Sequence, residues 1–253
     1  MKRIFIFSII MCSILFPATA QLVNIESARM QSDTVGWMGS ADGGIALGQS
    51  VDRLFAARIG AHLQYKTKSN KGLWLLLASY AFEKNGESKY VDNSFLHLRY
   101  NYKLNTWLRW EFFGQAQNNL ITQMRARILV GTGPRFKILS NDIIKLYAAT
   151  LVMHEKEKED THPFIKHNDI RSSSYVSFTI TPTKNIELVS STYYQPLFKN
   201  FSDYRILNEA KFKVKASKHF ALSMNWDYLY DRFPAGSAPR TTYTFGSGIN
   251  FEF

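Results

Sequence analysis

The sequence predicts an all-β protein, an antiparallel up-and-down transmembrane β-barrel of about twelve strands preceded by a cleaved signal peptide. Three observations predict it. Hydrophobicity alternates with period two over one segment after another, the chain closes on such a segment ending at Phe253, and the one extended apolar run lies at the extreme N-terminus. Composition agrees. A mean hydropathy of -0.20 excludes a multi-span helical membrane protein, and a hydrophobic fraction of 45% with 15% aromatic residues excludes a disordered chain. A length of 253 residues fits one domain, or at most two.

The N-terminal run reads as a secretory signal. Lys2 and Arg3 form a positive start, Ile4 to Phe16 an apolar centre, and Ala18-Thr19-Ala20 a small-residue cleavage site with Gln21 as the mature start. That centre is too short to cross a bilayer as a helix. Cys12 lies inside it behind Met11 rather than a small residue, so lipoprotein processing is not expected and the mature chain carries no thiol. After residue 20 the longest apolar stretch is Leu73 to Ala78, six residues against the roughly 20 a membrane helix needs. The organisation expected is a signal peptide over 1–20, a periplasmic N-terminal segment over 21–35 and a barrel over 36–253.

Strands are expected at 36–48, 53–66, 72–83, 93–104, 106–117, 124–138, 143–154, 171–181, 186–195, 204–216, 219–231 and 241–253. In the second, Phe55, Ala57, Ile59, Ala61, Leu63 and Tyr65 oppose Arg58, Gly60, His62, Gln64 and Lys66. The third is apolar on both faces, with Leu73, Leu75 and Leu77 expected inward. The tenth sets Ile206, Ala210, Phe212 and Val214 against Arg205, Glu209, Lys211, Lys213 and Lys215. The eleventh sets Phe220, Leu222, Met224, Trp226, Tyr228 and Tyr230 against Ser223, Asn225 and Asp227. In the last, Tyr243, Phe245, Ile249, Phe251 and Phe253 form the apolar row that serves as the insertion signal of such barrels.

Connections are expected to alternate. Tight turns fall at 67–71, Asn105-Thr106, 139–142, 182–185 and Ser217-Lys218, and longer polar loops at 84–92, 118–123, 155–170, 196–203 and 232–240. Short turns at one end and long loops at the other belong to an outer-membrane barrel, and an even strand count puts both termini in the periplasm. A soluble barrel would turn the apolar rows inward and overfill its interior. Aromatic residues near strand ends, such as Tyr100, Tyr102, Trp107, Trp110, Tyr193, Tyr194, Tyr228 and Tyr230, suit a membrane interface.

Several stretches resemble a known family. Val23-Asn24-Ile25-Glu26-Ser27, Arg29-Met30, Asp33-Thr34 and Gly36-Trp37-x-Gly39 are similar to the opening of the salt-induced outer-membrane protein (YdiY-like) family, a domain-of-unknown-function family of predicted barrels. Tyr194-Gln195-Pro196, Asp203-Tyr204-Arg205 and Tyr230-Asp231 with Pro234 resemble its later motifs, although Phe233-Pro234-Ala235 departs from the paired prolines of many members. The resemblance, over about 22–253, implies a barrel and an envelope location. It implies no catalytic residue and no ligand.

The inward rows collect Arg58, Arg99, Lys103, Arg109, Arg125, Arg127, Arg135, Arg205, Lys211, Lys213 and Lys215, answered clearly only by Glu111 and Glu209. Lys66, Lys103, Arg109, Arg135, Lys137, Lys213 and Lys215 fall near the periplasmic mouth. Two readings stand open: a basic ring that favours anions in a narrow pore, or cations that pair internally and conduct nothing. Residues 22–35 are a candidate plug for the periplasmic mouth, covering the inward leucines and part of the ring. The alternative for that segment is an extra strand or a disordered tail.

Other chemistry finds less support. The 155–170 stretch holds Glu155, Glu157, Glu159, Asp160 and Asp169 near His154, His162 and His167, but without metal-ligand spacing and among lysines, so a solvated loop is expected and no metal or cofactor. There is no nucleophile elbow, zinc helix or phosphate loop. A lipid hydrolase built from His62, His97 or His219 with a serine is the rival class, and a barrel anchoring an envelope complex a further one. The partners expected are outer-membrane lipids, lipopolysaccharide and the barrel assembly machinery. Nucleic acid is not expected. The role expected is a structural envelope protein or a narrow anion-favouring channel in the outer membrane of a Gram-negative bacterium.

Overall fold

A computed structural model of the chain describes residues 35–49, 52–217 and 220–251. The expected signal peptide, nearly all of the 21–35 segment, and Phe253 lie outside these residues.

Among the described residues, twelve strands form one antiparallel sheet in sequence order: β1 (Gly36–Gln49), β2 (Arg53–Lys66), β3 (Gly72–Asn85), β4 (Ser88–Lys103), β5 (Leu108–Asn119), β6 (Met124–Ser140), β7 (Ile144–Glu159), β8 (Lys166–Thr183), β9 (Ile186–Leu197), β10 (Asn200–Lys215), β11 (Phe220–Asp231) and β12 (Thr241–Phe251). Each strand pairs with the next, and among the described residues no ladder joins β12 to β1. The sheet nevertheless curls strongly. The Tyr175 hydroxyl of β8 reaches Glu111 of β5, Arg205 of β10 reaches Glu155 of β7, and Arg58 of β2 interacts electrostatically with Asp227 of β11.

The wall keeps the expected orientation. Trp37, Leu47, Ile59 and Val130 are among the outward apolar residues that are 61–78% exposed, while their chain neighbours face the interior. An apolar surface of this extent marks a membrane or partner interface. Tyr243 and Phe245 of the expected insertion row lie on this outer face. Aromatic rings pair along it near the end where β1 begins: Trp37 with Tyr65 at 4.7 Å, Trp74 with Tyr100 at 4.4 Å and Trp107 with Phe136 at 6.1 Å. That is the turn end. The other is the lid end, where Tyr194, Tyr204 and Tyr230 form a second outward row. Tyr193, grouped with Tyr194 in the sequence, instead faces inward at 6% exposure.

Three expected loops are corrected. The 155–170 loop shrinks to 160–165 because β7 runs on to Glu159 and β8 begins at Lys166. The 84–92 loop becomes a turn at 86–87, and the 196–203 loop a turn at 198–199. The expected contrast of long loops against short turns therefore largely disappears, with 232–240 the one long connection left at the lid end. The physical reason lies in the outer face. Beyond the apolar band the outward positions become polar, hydropathy stops alternating, and the ladder continues.

Candidate functional site

The inward side chains fill the interior in layers. Lys66, Lys103, Arg109, Lys137, Lys213 and Lys215 each lie at the turn end of their strands. Lys103 is the ladder partner of Arg109, and Arg109 of Arg135. The Arg109 guanidinium lies 5.6 Å from the Tyr147 ring centroid.

Above this rim sits a network centred on Glu111, which is wholly buried. Glu111 accepts from Arg99 Nη1 at 3.2 Å, Arg135 Nη1 at 3.4 Å and the Tyr175 hydroxyl at 2.7 Å. Arg135 also stacks 4.1 Å from the Tyr147 ring centroid. Arg99 Nε donates to His97 Nε2 at 3.2 Å. Because a guanidinium can only donate, the imidazole carries its proton on Nδ1 and donates that N–H to Gln115 Oε1 at 2.9 Å. Gln115 in turn donates to Gln117 at 2.8 Å.

An apolar layer follows. Phe113, Leu129, Leu151, Met153, Tyr193 and Leu207 pack together with Tyr175, and Leu229 packs against them. Leu75 and Leu77 are inward as expected and pack with Phe95. Gly131 makes room for this layer, since a Cβ there would overlap the Phe113 ring.

Toward the lid end comes a second ionic network. Glu155, 1% exposed, accepts from Arg127 Nε at 3.0 Å and from Arg205 Nη1 at 3.0 and 3.1 Å, with Arg171 Nε at 3.4 Å. Arg205 Nη2 reaches Glu157 at 3.0 Å and its Nε reaches Asp231 at 2.6 Å, while Arg171 Nη1 reaches Asp203 at 2.9 Å. Ions this deeply buried persist only when their partners satisfy them, and here three arginines meet four carboxylates.

A cavity of about 90 Å³ lies beside this network, walled by His97, Gln117, Arg127, Gln195 and Glu209 and roofed by Pro234, Ala235, Ala238 and Pro239. The roof is the 232–240 loop, and it is latched. Gln123 Nε2 donates to the Ser237 hydroxyl at 2.7 Å, and Ser237 N donates to Gln123 Oε1 at 3.0 Å. Gly236 has a φ of +49°, and a Cβ there would run into Gln123 Oε1.

The inward cations expected from the sequence thus divide. Lys66, Lys103, Arg109, Lys213 and Lys215 share the turn-end rim. Arg99, Arg127, Arg135 and Arg205 are ion-paired in the two networks, Arg58 interacts with Asp227, and Lys211 lies near His62. Arg125 is a correction: a register shift between Met124 and Ala126 turns it outward, 53% exposed. The histidines of the expected loop do not converge. His154 bonds Asn168 at 2.7 Å, His167 bonds Glu159 at 2.6 Å, and among the described residues no group of His, Cys, Asp or Glu is arranged to hold a metal.

Sequence reasoning missed the acids. The sequence places Glu155 and Glu157 in an expected loop and gives no sign that Asp203 and Asp231 face the interior. The signal was present as Glu155-Lys156-Glu157-Lys158-Glu159, which alternates in sign rather than hydropathy. The stretches that carried the family resemblance meet in this network: Arg205 pairs with Asp231, Asp203 with Arg171, and the Gln195 carbonyl accepts from Arg171 at 3.4 Å.

Solved structures resemble the chain at the level of fold. One is the NanC porin in a rhombohedral crystal form, with a TM-score of 0.50 and 9% identity over 85% of this chain and 99% of that one. Another is the translocator domain of the autotransporter NalP from Neisseria meningitidis, with a TM-score of 0.47 and 10% identity over 90% of this chain and 92% of that one. The fold is that of outer-membrane β-barrels. No curated protein matches the sequence. The family described as "Protein of unknown function, DUF481" matches residues 55–253, from the second strand onward, and the chain belongs to that family.

Proposed function

We propose that this protein is an outer-membrane barrel with both termini in the periplasm and its lumen sealed by its own side chains, serving the envelope as a structural or anchoring element rather than as an open anion pore. The observation that carries the reading is the sealed mid-lumen. The Phe113–Leu207 layer is buried between two networks: in one Arg99 and Arg135 share Glu111, and in the other three arginines meet four carboxylates. Guanidiniums held on buried carboxylates behind a packed apolar layer present no water path for a conducting anion. The outward apolar band and its two aromatic rows support membrane insertion. Of the histidines expected for a hydrolase, His97 engages Gln115 and Arg99 rather than a serine, and His219 lies outside the described residues.

Reconstitution of the mature protein in a planar bilayer tests the proposal. The expected result is no steady conductance. Stable anion-selective steps would overturn it and restore the channel reading, for which the basic turn-end rim would be the entrance.

A further inference from the structure

The outer wall of β6, β7 and β8 carries a patch at the lid end that a sealed lumen does not use. Passing up β7, the outward residues change from Val152 to His154, Lys156 and Lys158. Lys158 is the direct ladder partner of Lys166, an arrangement that destabilises a strand pair when nothing neutralises it. The Lys158 ammonium lies 4.0 Å and the Arg125 guanidinium 4.8 Å from the centroid of one ring, Phe164. Both charges therefore fall within the roughly 10 Å over which ions act on each other at 0.1 M salt. Arg125 has Asp160 at 3.4 Å, but among the described residues no carboxylate pairs with Lys156, Lys158 or Lys166. Two other lysines near the lid end are answered, Lys89 by Asp92 at 3.4 Å and Lys199 by Asp169 at 3.3 Å, while Lys84 faces Lys89 alone, without the cluster of cations around Phe164.

The position of the patch says what answers it. The ladder partner of Lys156 is Ile128, outward and 55% exposed, so the cations begin within one residue pair of the apolar band. An anion fixed at the boundary between hydrocarbon and water is a lipid phosphate. We propose that Arg125, Lys156, Lys158 and Lys166 dock the phosphates of a lipopolysaccharide molecule whose acyl chains lie along Ile128, Val130 and Ile170. Lipopolysaccharide is chosen over a glycerophospholipid because four cations crowded over three strands match a headgroup with more than one phosphate. The orientation proposed above also places this end in the outer leaflet. The inference rests on membrane insertion and that orientation, and is independent of whether the lumen conducts.

The test titrates the full mature protein, in zwitterionic detergent, with lipopolysaccharide, with lipopolysaccharide stripped of phosphate and with phosphatidylglycerol. Saturable binding of intact lipopolysaccharide that weakens with salt is expected. The K156Q/K158Q/K166Q variant should bind about 100-fold more weakly, about five-fold per lysine. K156R/K158R/K166R should retain binding, and K89Q/K199Q should match the wild type. Equal binding by the triple glutamine variant, or by the dephosphorylated lipid, overturns the site. Equally tight binding of phosphatidylglycerol overturns the choice of lipid and implicates the orientation, while the bilayer conductance result would stand unaffected.

Discussion

Replacing Glu155 by glutamine probes the interior and the length of β7 together. Glu155 is 1% exposed and bridges Arg127, Arg171 and Arg205 at 3.0 to 3.4 Å. Glutamine keeps the shape and one acceptor oxygen but removes the negative charge from among three guanidiniums that remain buried. Breaking a buried ion pair by removing one partner costs about 3–5 kcal/mol. Glu157, Asp203 and Asp231 stay in place to compensate in part, which sets the expectation near the lower bound, about 3 kcal/mol. The adjacent Lys156→Gln alters an outward, exposed side chain and should stay within about 0.5 kcal/mol of wild type. Urea unfolding of the refolded barrel, followed by tryptophan fluorescence, reads both as midpoint shifts at constant slope. A loss under about 1 kcal/mol for E155Q, or equal losses for the two variants, would refute the reasoning and return 155–159 to a solvated loop.

Two further outcomes test the wall and the roof. Leu96, outward on β4 and 49% exposed, sits between Ala78 and Ala116 on the neighbouring strands; Leu96→Arg should cost about 2–4 kcal/mol for a mid-membrane position when folding into lipid vesicles is measured, and an unchanged stability there would mean that this face does not meet hydrocarbon. Gly236→Ala should break the Gln123–Ser237 latch and admit protease within 232–240 while moving the urea midpoint little, since every strand ladder stays intact; a loop that remains uncut would show the latch to be immaterial.

Period-two hydropathy made most of the wall legible. Ile59 against Arg58 and Met224 against Ser223 sit on opposite faces as their types require, because one face is apolar and the other polar. Strand ends were legible only while that contrast lasted. Past Val152 both faces of β7 are charged, so a reading by hydropathy stopped at 154 while the ladder continued through Lys158 paired with Lys166. The inward arginines were legible as residues but not as a site. Whether Arg205 is a free cation or the partner of Glu155 depends on strands three apart in order facing each other across the interior, and no spacing along one strand encodes that. The outward turn of Arg125 was equally hidden, since a one-residue register shift reverses a face without changing composition.

The charges of β7 also explain how that strand keeps its register. Between Ala148 and Met153 both faces are apolar or small: Leu151 and Met153 point inward, Thr150 and Val152 outward. Exchanging those rows by a slip of one residue swaps apolar for apolar and costs little, so hydrophobicity leaves the register weakly specified over this half of the strand. The same slip at the lid end would carry Lys156 and Lys158 into the interior against Arg127, Arg171 and Arg205 and expel Glu155 and Glu157 to the wall. Attractive buried pairs would become buried like-charge contacts, which no rearrangement of exposed side chains can relieve. Buried ion pairs contribute little net stability compared with apolar packing of equal volume. What they contribute here is the difference between the correct register and its neighbour, on a strand whose hydropathy does not decide it.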